Sequence, residues 1–211
     1  MARQQSKGKC GFCGGTFSKG AMRRHLDSCK ERKVPKGTGH IFHIVVDAGE
    51  YWMHLDAGGD ATLKDLDGFL RGIWLECCGH LSAFTIQGIQ YMSDPYYDED
   101  TGMDVILDRV IAPGMKFIHE YDFGTTTELD LKVVSEREGA IEGGIQLLAR
   151  NDPPEIICGK CGEPATTMCT GCFWESKGWL CDKCAGEHEC GEEMMMPVVN
   201  SPRVGVCGYT G

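Results

Sequence analysis

IFHIVVDAGEYWMHLDA, residues 41–57, contains two apolar segments separated by a short stretch with acidic residues and glycine. The first segment is rich in isoleucine and valine, and the second alternates apolar with polar side chains, as β-strands do. Residues 47–50 have the composition of a turn. We therefore predict two strands, 41–47 and 51–56, which form a hairpin.

A helix is predicted to follow this hairpin. Thr62 is a suitable N-cap residue, and the apolar side chains after it recur at spacings of three and four, which places them on one helical face. These side chains are Leu63, Leu66, Phe69, Leu70, Ile73, Trp74 and Cys77. The helix is expected to run from about 62 to 76.

Further strands are predicted after the helix. Residues 82–87 form one, and two alternating segments follow, with a turn at Gly124 between them. The alternating apolar and aromatic positions are Phe117, His119, Tyr121 and Phe123, then Leu129, Leu131 and Val133. Many strands around one principal helix indicate an α+β domain with a mostly antiparallel sheet.

Composition limits the class of protein. The 211 residues are 42% hydrophobic, which is enough for a real core, and no run approaches the roughly 20 apolar residues of a membrane span. The N-terminus lacks the apolar stretch of a secretory signal. We expect a cytoplasmic protein without a membrane partner. Its thirteen cysteines lie mostly in C-x-x-C pairs, which in a reducing compartment favours metal binding over disulfides.

Residues 158–190 contain four pairs of metal-binding side chains, which predict two tetrahedral zinc sites. The pairs are Cys158 with Cys161, Cys169 with Cys172, Cys181 with Cys184, and His188 with Cys190. Combining the first pair with the third and the second with the fourth leaves loops of 19 and 15 residues, whereas sequential pairing leaves only seven and three. The longer loops suit zinc sites, so the interleaved arrangement is predicted.

This order of knuckles resembles the cross-braced zinc fingers of the MYND, HIT and ZZ types, which generally serve as protein-interaction or structural modules. The last pair, His188-x-Cys190, is tighter than in MYND and HIT fingers. Cys190 is the preferred final ligand, and Cys207 is the alternative. Four protein ligands leave no open position on zinc, so a structural role is predicted.

A second zinc motif precedes the hairpin. Cys10, Cys13, His25 and Cys29 have C-x2-C-x11-H-x3-C spacing, in which a helix presents the last two ligands one turn apart. The motif resembles a C2HC or C2H2 finger whose loop is one residue short. If the helix enters a groove of nucleic acid, the side chains expected to meet phosphates or bases are Lys19, Arg23 and Arg24.

Charge is unevenly distributed along the chain. The net charge is -10, yet residues 1–39 have ten Lys or Arg and only two acidic residues, about +8. We therefore divide the chain into a basic C2HC finger (1–33), a linker (34–40), a central α+β domain (41–150) and a two-zinc module with its tail (155–211). About three Zn²⁺ per chain are predicted.

WLECCGHLSAFTI (74–86) and FIHEYDFGTTTELDLKV (117–133) carry a family resemblance. Together they resemble the plasmid pRiA4b ORF-3-like family, also described as the passenger protein TnpR of an insertion element. The matching positions are His80, Leu81 and Phe84, and the segment 121–124. Thr125 to Glu128 depart from the acidic residues and Trp usual there. The resemblance implies an association with mobile elements and no defined chemistry.

These observations predict a non-catalytic zinc-binding adaptor whose partner is nucleic acid or a protein. The basic finger favours nucleic acid, and the acidic central domain opposes it. An enzyme is the weaker alternative: His43 or His119 with Asp122 would be enough for acid/base work. Asp122 is instead expected to order the turn in which it lies.

Overall fold

A computed structural model describes residues 6–33, 36–95, 101–173 and 177–211. Two positions of the predicted linker, 34 and 35, therefore lie outside the described residues, as do residues 1–5 of the predicted finger. No helix in the described part of the chain is both long and apolar enough to cross a membrane.

The described residues form mostly sheet, with few helices. The helices are α1 (Lys19–Ser28), α2 (Leu63–Leu70) and α3 (Asp182–Gly186). The strands are β1 (Lys7–Cys10), β2 (Thr16–Ser18), β3 (His40–Ala48), β4 (Tyr51–Gly58), β5 (Ser82–Ile86), β6 (Ile89–Met92), β7 (Thr101–Gly102), β8 (Lys116–Tyr121), β9 (Thr127–Glu138), β10 (Ile145–Asn151), β11 (Thr167–Cys169), β12 (Trp179–Leu180) and β13 (Met195–Pro197).

Two sheets are present among these described strands. Ten strands form the larger one, in the order β2-β1-β10-β4-β3-β9-β8-β5-β6-β7, and β12-β11-β13 form the smaller. Every pairing is antiparallel except β6 with β7. The predicted hairpin, β3 and β4, lies inside the large sheet, between β9 and β10.

One face of the large sheet carries the main core. Alternate residues of β3 and β4 point to it, and α2 covers it with the apolar face that its sequence predicts. The fully buried side chains of this core include Ile44, Val46, Leu55, Leu66 and Trp74. Burying a side chain of this size contributes roughly 1.5–3 kcal/mol, so the hairpin and α2 depend on each other.

The helix begins as predicted and ends differently. Thr62 and Asp65 form a reciprocal capping box, in which the Asp65 N–H donates to Thr62 Oγ1 and the Thr62 N–H donates to Asp65 Oδ2. The α-helix stops at Leu70, and Arg71–Leu75 continue as a π-helical turn. Trp74 lies in this turn and is buried in the core, and Cys77 follows two residues after the turn ends. The prediction of one principal helix holds only roughly, because α1 is longer than α2.

The opposite face of the large sheet is covered by the N-terminal finger. Its strand β1 pairs with β10, so the finger extends the large sheet, and α1 packs across the sheet face. Met22 and Leu26 of α1 are buried against Trp52 of β4. The Trp52 indole N–H donates to Ser6 Oγ at 2.7 Å. The finger and the central domain therefore share one core.

A buried carboxylate stabilises the contact between the finger and the central domain. Asp56, on the finger side of β4, is 1% exposed. The Arg32 guanidinium, three residues after Cys29 of the finger, donates to both carboxylate oxygens at 3.0 and 2.9 Å. Arg137 of β9 also donates to both oxygens. Two guanidinium groups thus compensate one buried carboxylate.

Two buried histidines lie beside Asp56. His43 Nε2 is 2.9 Å from His54 Nδ1, and both rings are almost fully buried. Burial lowers the pKa of His43 to about 4, against the opposing effect of Asp56. Burial and then the neighbouring His43 lower the pKa of His54 to about 3. Both imidazoles are therefore neutral in the folded protein near pH 7.

The C-terminal tail, residues 198–211, returns to the large sheet. Asn200 exchanges hydrogen bonds with Asn151 at the end of β10, and Ser201 Oγ donates to the Trp74 carbonyl at 2.6 Å. Arg203 is fully buried, and its guanidinium lies 4.8 Å from the centre of the Tyr121 ring. The tail is thus part of the packing of the central domain.

The Asp56 contact gives a first prediction. Asp56→Asn leaves two guanidinium groups facing a neutral amide, and breaking a buried ion pair on one side costs about 3–5 kcal/mol. Denaturant unfolding followed by circular dichroism measures this change. The control is Glu142→Gln, which alters an exposed carboxylate and should change stability by at most about 0.5 kcal/mol. A loss below about 1 kcal/mol in Asp56→Asn would contradict the assignment.

The histidine pair gives a pH prediction. Because both pKa values lie below the roughly 6.5 of an unfolded chain, the unfolded state binds more protons below about pH 6.5. Each histidine then lowers the unfolding free energy by up to about 1.4 kcal/mol per pH unit as pH falls toward its folded pKa. Unfolding free energies between pH 7 and 5 should fall less steeply in a His43→Gln, His54→Gln double variant. Parallel slopes would refute the prediction. Any metal that is released at low pH would be released from the wild type and the double variant alike.

Candidate metal centres

Four groups of cysteine and histidine side chains come together in the described structure. Within each group the candidate ligand atoms all lie within 4.8 Å of one another. The groups are Cys10, Cys13, His25 and Cys29; Cys158, Cys161, Cys181 and Cys184; Cys169, Cys172, His188 and Cys190; and Cys77, Cys78, His80 and Cys207. All thirteen cysteines of the chain belong to one of them. We call them the finger, first C-terminal, second C-terminal and tail clusters.

The finger cluster is assembled by β1, the turn after it, and α1. Cys10 ends β1 and Cys13 lies in the turn, while His25 is on α1 and Cys29 follows it directly. Cys10 Sγ is 3.9 Å from Cys29 Sγ, and Cys13 Sγ is 3.3 Å from His25 Nε2. Phe17 stacks on the His25 ring at 3.9 Å between centroids, which sets the orientation of the imidazole.

The two C-terminal clusters have the interleaved arrangement. Cys161 Sγ lies 3.6 Å from Cys181 Sγ in the first. In the second, Cys172 Sγ is 3.5 Å from His188 Nε2 and 3.6 Å from Cys190 Sγ. Cys190 is thus placed with the second cluster, while Cys207, the alternative for this position, lies in the tail cluster.

A small scaffold holds these two clusters. β11 pairs with β12 and β13, and α3 begins directly after Cys181 and carries Cys184. Buried Cys158, Cys169, Leu180 and Cys184 form one apolar group that joins both clusters. The two clusters therefore share a core that is too small to be stable without additional links.

Backbone N–H groups face Cys158 and Cys169, the first cysteines of the two C-terminal clusters. Burial raises the pKa of Cys158, but the N–H groups of Cys181, Lys160 and Cys161 lower it to about 6. Cys169 shows the same balance, with N–H groups of Cys172 and Gly171 lowering its pKa against burial. Such donors stabilise a thiolate, which is the form that binds metal.

The donor sets fit zinc. Sulfur and imidazole nitrogen in a four-ligand set are the ligands of structural Zn²⁺ sites. At a Zn–S bond of about 2.3 Å, tetrahedral geometry puts sulfur atoms about 3.8 Å apart, close to the separations found here. Four protein ligands fill the coordination sphere, so each centre would stabilise a fold and leave no position for a substrate.

The sequence does not predict the tail cluster, because Cys77 is expected on the apolar face of the helix and Cys78 is not among the predicted ligands. Cys77 is half-buried and Cys78 is exposed. Both lie beside His80, just beyond the π-helical turn, and Cys207 approaches from the tail. The C-C-x-H spacing and the odd number of cysteines were the available signals. Neither indicates the fourth ligand, because Cys207 is 129 positions after Cys78.

The basic side chains predicted to meet nucleic acid have different surroundings. Lys19 forms an ion pair with Asp47 in the β3–β4 turn. Arg23 Nη2 donates to the Val134 carbonyl at 3.2 Å. Arg24 is exposed. Two of the three are thus engaged in holding α1 on the sheet.

The acid/base candidates His43, His119 and Asp122 each have other hydrogen-bond partners. His119 is fully buried, and its Nε2 lies 2.7 Å from Asp67 Oδ1, which also accepts from Ser82 Oγ at 2.7 Å. His43 is paired with His54. Asp122 Oδ1 accepts from the N–H groups of Gly124 and Thr125 and so orders its turn, as expected.

Comparison with known proteins assigns this chain to no family. No family model matches the chain, and no curated protein matches it. The chain is similar to the crystal structure of a protein of unknown function, MM3350, from Methanosarcina mazei Go1, with 13% sequence identity and a TM-score of 0.45. The alignment covers 60% of this chain and 76% of that chain. A likeness this remote identifies no function.

The shared core of the C-terminal clusters gives a third prediction. Cys158→Ser and Cys169→Ser each remove one ligand from a different cluster, and each should lower the zinc content by about two per chain, because the common core unfolds. Cys10→Ser, in the separate finger, should lower it by about one. Elemental analysis of purified protein measures the content. A loss of one zinc in each C-terminal variant would show two independent sites.

Proposed function

We propose that this protein is a non-catalytic, zinc-binding adaptor of the cytoplasm that binds a protein partner. The observation that carries the proposal is that four-residue Cys/His sets occur both before and after the central sheet domain in the chain. Zinc in such sites stabilises a surface and offers no coordination position for catalysis. Zn²⁺ in the finger and in both C-terminal clusters, about three per chain, is part of this proposal.

The surface of the C-terminal module favours a protein over nucleic acid. The side chains around the two C-terminal clusters include exposed acidic residues, which would repel phosphate. They are Asp182, Glu187, Glu189, Glu192 and Glu193. The resemblance to MYND, HIT and ZZ fingers agrees with this, because those modules generally mediate protein interactions.

Exposed apolar side chains on the central domain also favour a protein partner. Leu81 is 43% exposed and Phe123 is 46% exposed. The two positions are neighbours, because the Asp122 N–H donates to the Leu81 carbonyl at 2.9 Å. Exposed apolar groups beside each other suit a protein interface. We propose that the central domain is related to the pRiA4b ORF-3-like family, whose YDFG segment contains Phe123.

A photo-crosslinking experiment tests the protein partner. A photoreactive phenylalanine analogue replaces Phe123 in one variant of the full chain and Glu142, also exposed, in a matched control. Illumination in cells should give a protein adduct at position 123 that survives nuclease treatment, with no such adduct at 142. Equal adducts at both positions, or none, would reject this surface as the interface.

Nucleic acid is the second candidate, because part of the finger remains exposed and basic. The exposed residues are Lys7, Lys9, Arg24, Lys30 and Lys33. Titration of the full chain with mixed DNA and RNA at about 50 and 200 mM salt separates the candidates, because phosphate contacts weaken steeply with salt.

For a protein-binding adaptor we expect at most weak binding that Arg24→Ala leaves unchanged. Tight binding that falls steeply with salt and is reduced by Arg24→Ala would show that the partner is nucleic acid and not a protein. Glu142→Ala is the matched control for the substitution.

A further inference from the structure

The tail cluster joins two distant parts of the chain. Cys77, Cys78 and His80 lie between the π-helical turn and β5, and Cys207 belongs to the C-terminal tail. We propose that these four side chains bind one Zn²⁺ and that this ion clasps the tail to the central domain. The site is additional to the three zinc centres of the proposed adaptor function and does not depend on the identity of the partner.

The separations of the ligand atoms fit a single tetrahedral ion. Cys78 Sγ lies 3.7 Å from Cys77 Sγ and 3.8 Å from Cys207 Sγ, against the roughly 3.8 Å expected for two sulfurs on zinc. His80 Nε2 lies 3.1 Å from Cys78 Sγ and 3.2 Å from Cys207 Sγ. In the other three clusters the corresponding S···S distances are 3.6–3.9 Å and the S···N distances 3.3 and 3.5 Å. The tail cluster thus has nearly the same dimensions.

One guanidinium lies against a thiol of the cluster, and the carboxylate that pairs with it, Asp122, lies 3.5 Å from His80 Nε2. Three thiols lose their protons to solvent on binding Zn²⁺, so the coordinated site carries a net charge of about -1. Arg203 Nη2 lies 3.5 Å from Cys77 Sγ, and the same guanidinium is held by Asp122 Oδ2 at 2.5 Å. The Tyr121 hydroxyl is 3.8 Å from the same sulfur. Such donors around the ligands are typical of metal thiolates.

The backbone of the tail is shaped to present Cys207. Its φ is 48°, in the left-handed region that residues other than glycine rarely adopt. Gly205 and Gly208 on either side also have positive φ. Unusual backbone persists where surrounding interactions hold it, and coordination of Cys207 would supply such an interaction.

The tail cluster is the most exposed of the four. Cys78 and Cys207 are exposed and Cys77 and His80 are half-buried, whereas each of the other clusters contains at least one buried cysteine. An ion held here is therefore the most accessible to a competing chelator. Metal supply would then decide whether the end of the chain is held against the central domain.

Metal content and hydrogen exchange test the clasp on the full chain. Wild-type protein purified under reducing conditions should contain about four zinc ions, and Cys207→Ser and Cys78→Ser about three. Thr210→Ser, an exposed substitution in the same tail, should keep about four. Amide exchange in residues 198–211 should be faster in Cys207→Ser than in Thr210→Ser, while exchange in β3 and β4 stays unchanged.

A chelator experiment on unaltered protein gives an independent readout. A limiting amount of a chromogenic chelator should remove about one equivalent of zinc in a fast phase, with accelerated exchange confined to the tail, and this phase should be missing in Cys207→Ser. Equal zinc content in wild type and Cys207→Ser would overturn the proposal. A mass about 2 Da lower with a disulfide between Cys78 and Cys207 in the zinc-replete protein would also overturn it. Neither result would affect the partner-crosslinking test of the adaptor function.

Discussion

The need to bury both faces of the β3–β4 hairpin organises the whole molecule. The hairpin lies inside the large sheet, so each of its faces has to be covered by another part of the chain. α2 covers one face with its leucines, together with Trp74 of the π-helical turn, and the N-terminal finger covers the other with Met22 and Leu26. A finger that would be an independent module elsewhere is here one of the two layers that close the core.

This arrangement explains the buried polar groups on the finger side of the hairpin. Asp56, His43 and His54 point away from the α2 core because strand residues alternate between faces. They remain buried because the finger covers them, and Arg32 brings the charge that Asp56 requires. The basic character of the first 39 residues therefore has a structural use. Part of it neutralises the acidic domain to which the finger is attached.

Metal ligands occur where the chain has too little apolar surface to hold itself together. The finger and the C-terminal module each have only a few buried apolar side chains. Zinc bound by the four-residue Cys/His sets would supply the remaining cross-links. The tail lacks strands of its own and is held by Asn200, Ser201 and Arg203 before it reaches Cys207. A metal clasp at its end would complete the same pattern.

The sequence by itself determined the features that depend on nearby residues. The hairpin, the capping box at Thr62, the turn at Asp122 and the Cys-x-x-Cys knuckles are set by local backbone geometry and by short side-chain spacings. Loop lengths also favoured the interleaved order of the C-terminal ligands. Only the tertiary structure decided that the finger joins the large sheet, that Arg32 meets Asp56, and that Cys207 meets Cys77, Cys78 and His80. These contacts join residues far apart in the chain, and their geometry exists only once the sheet has folded and both of its faces are covered.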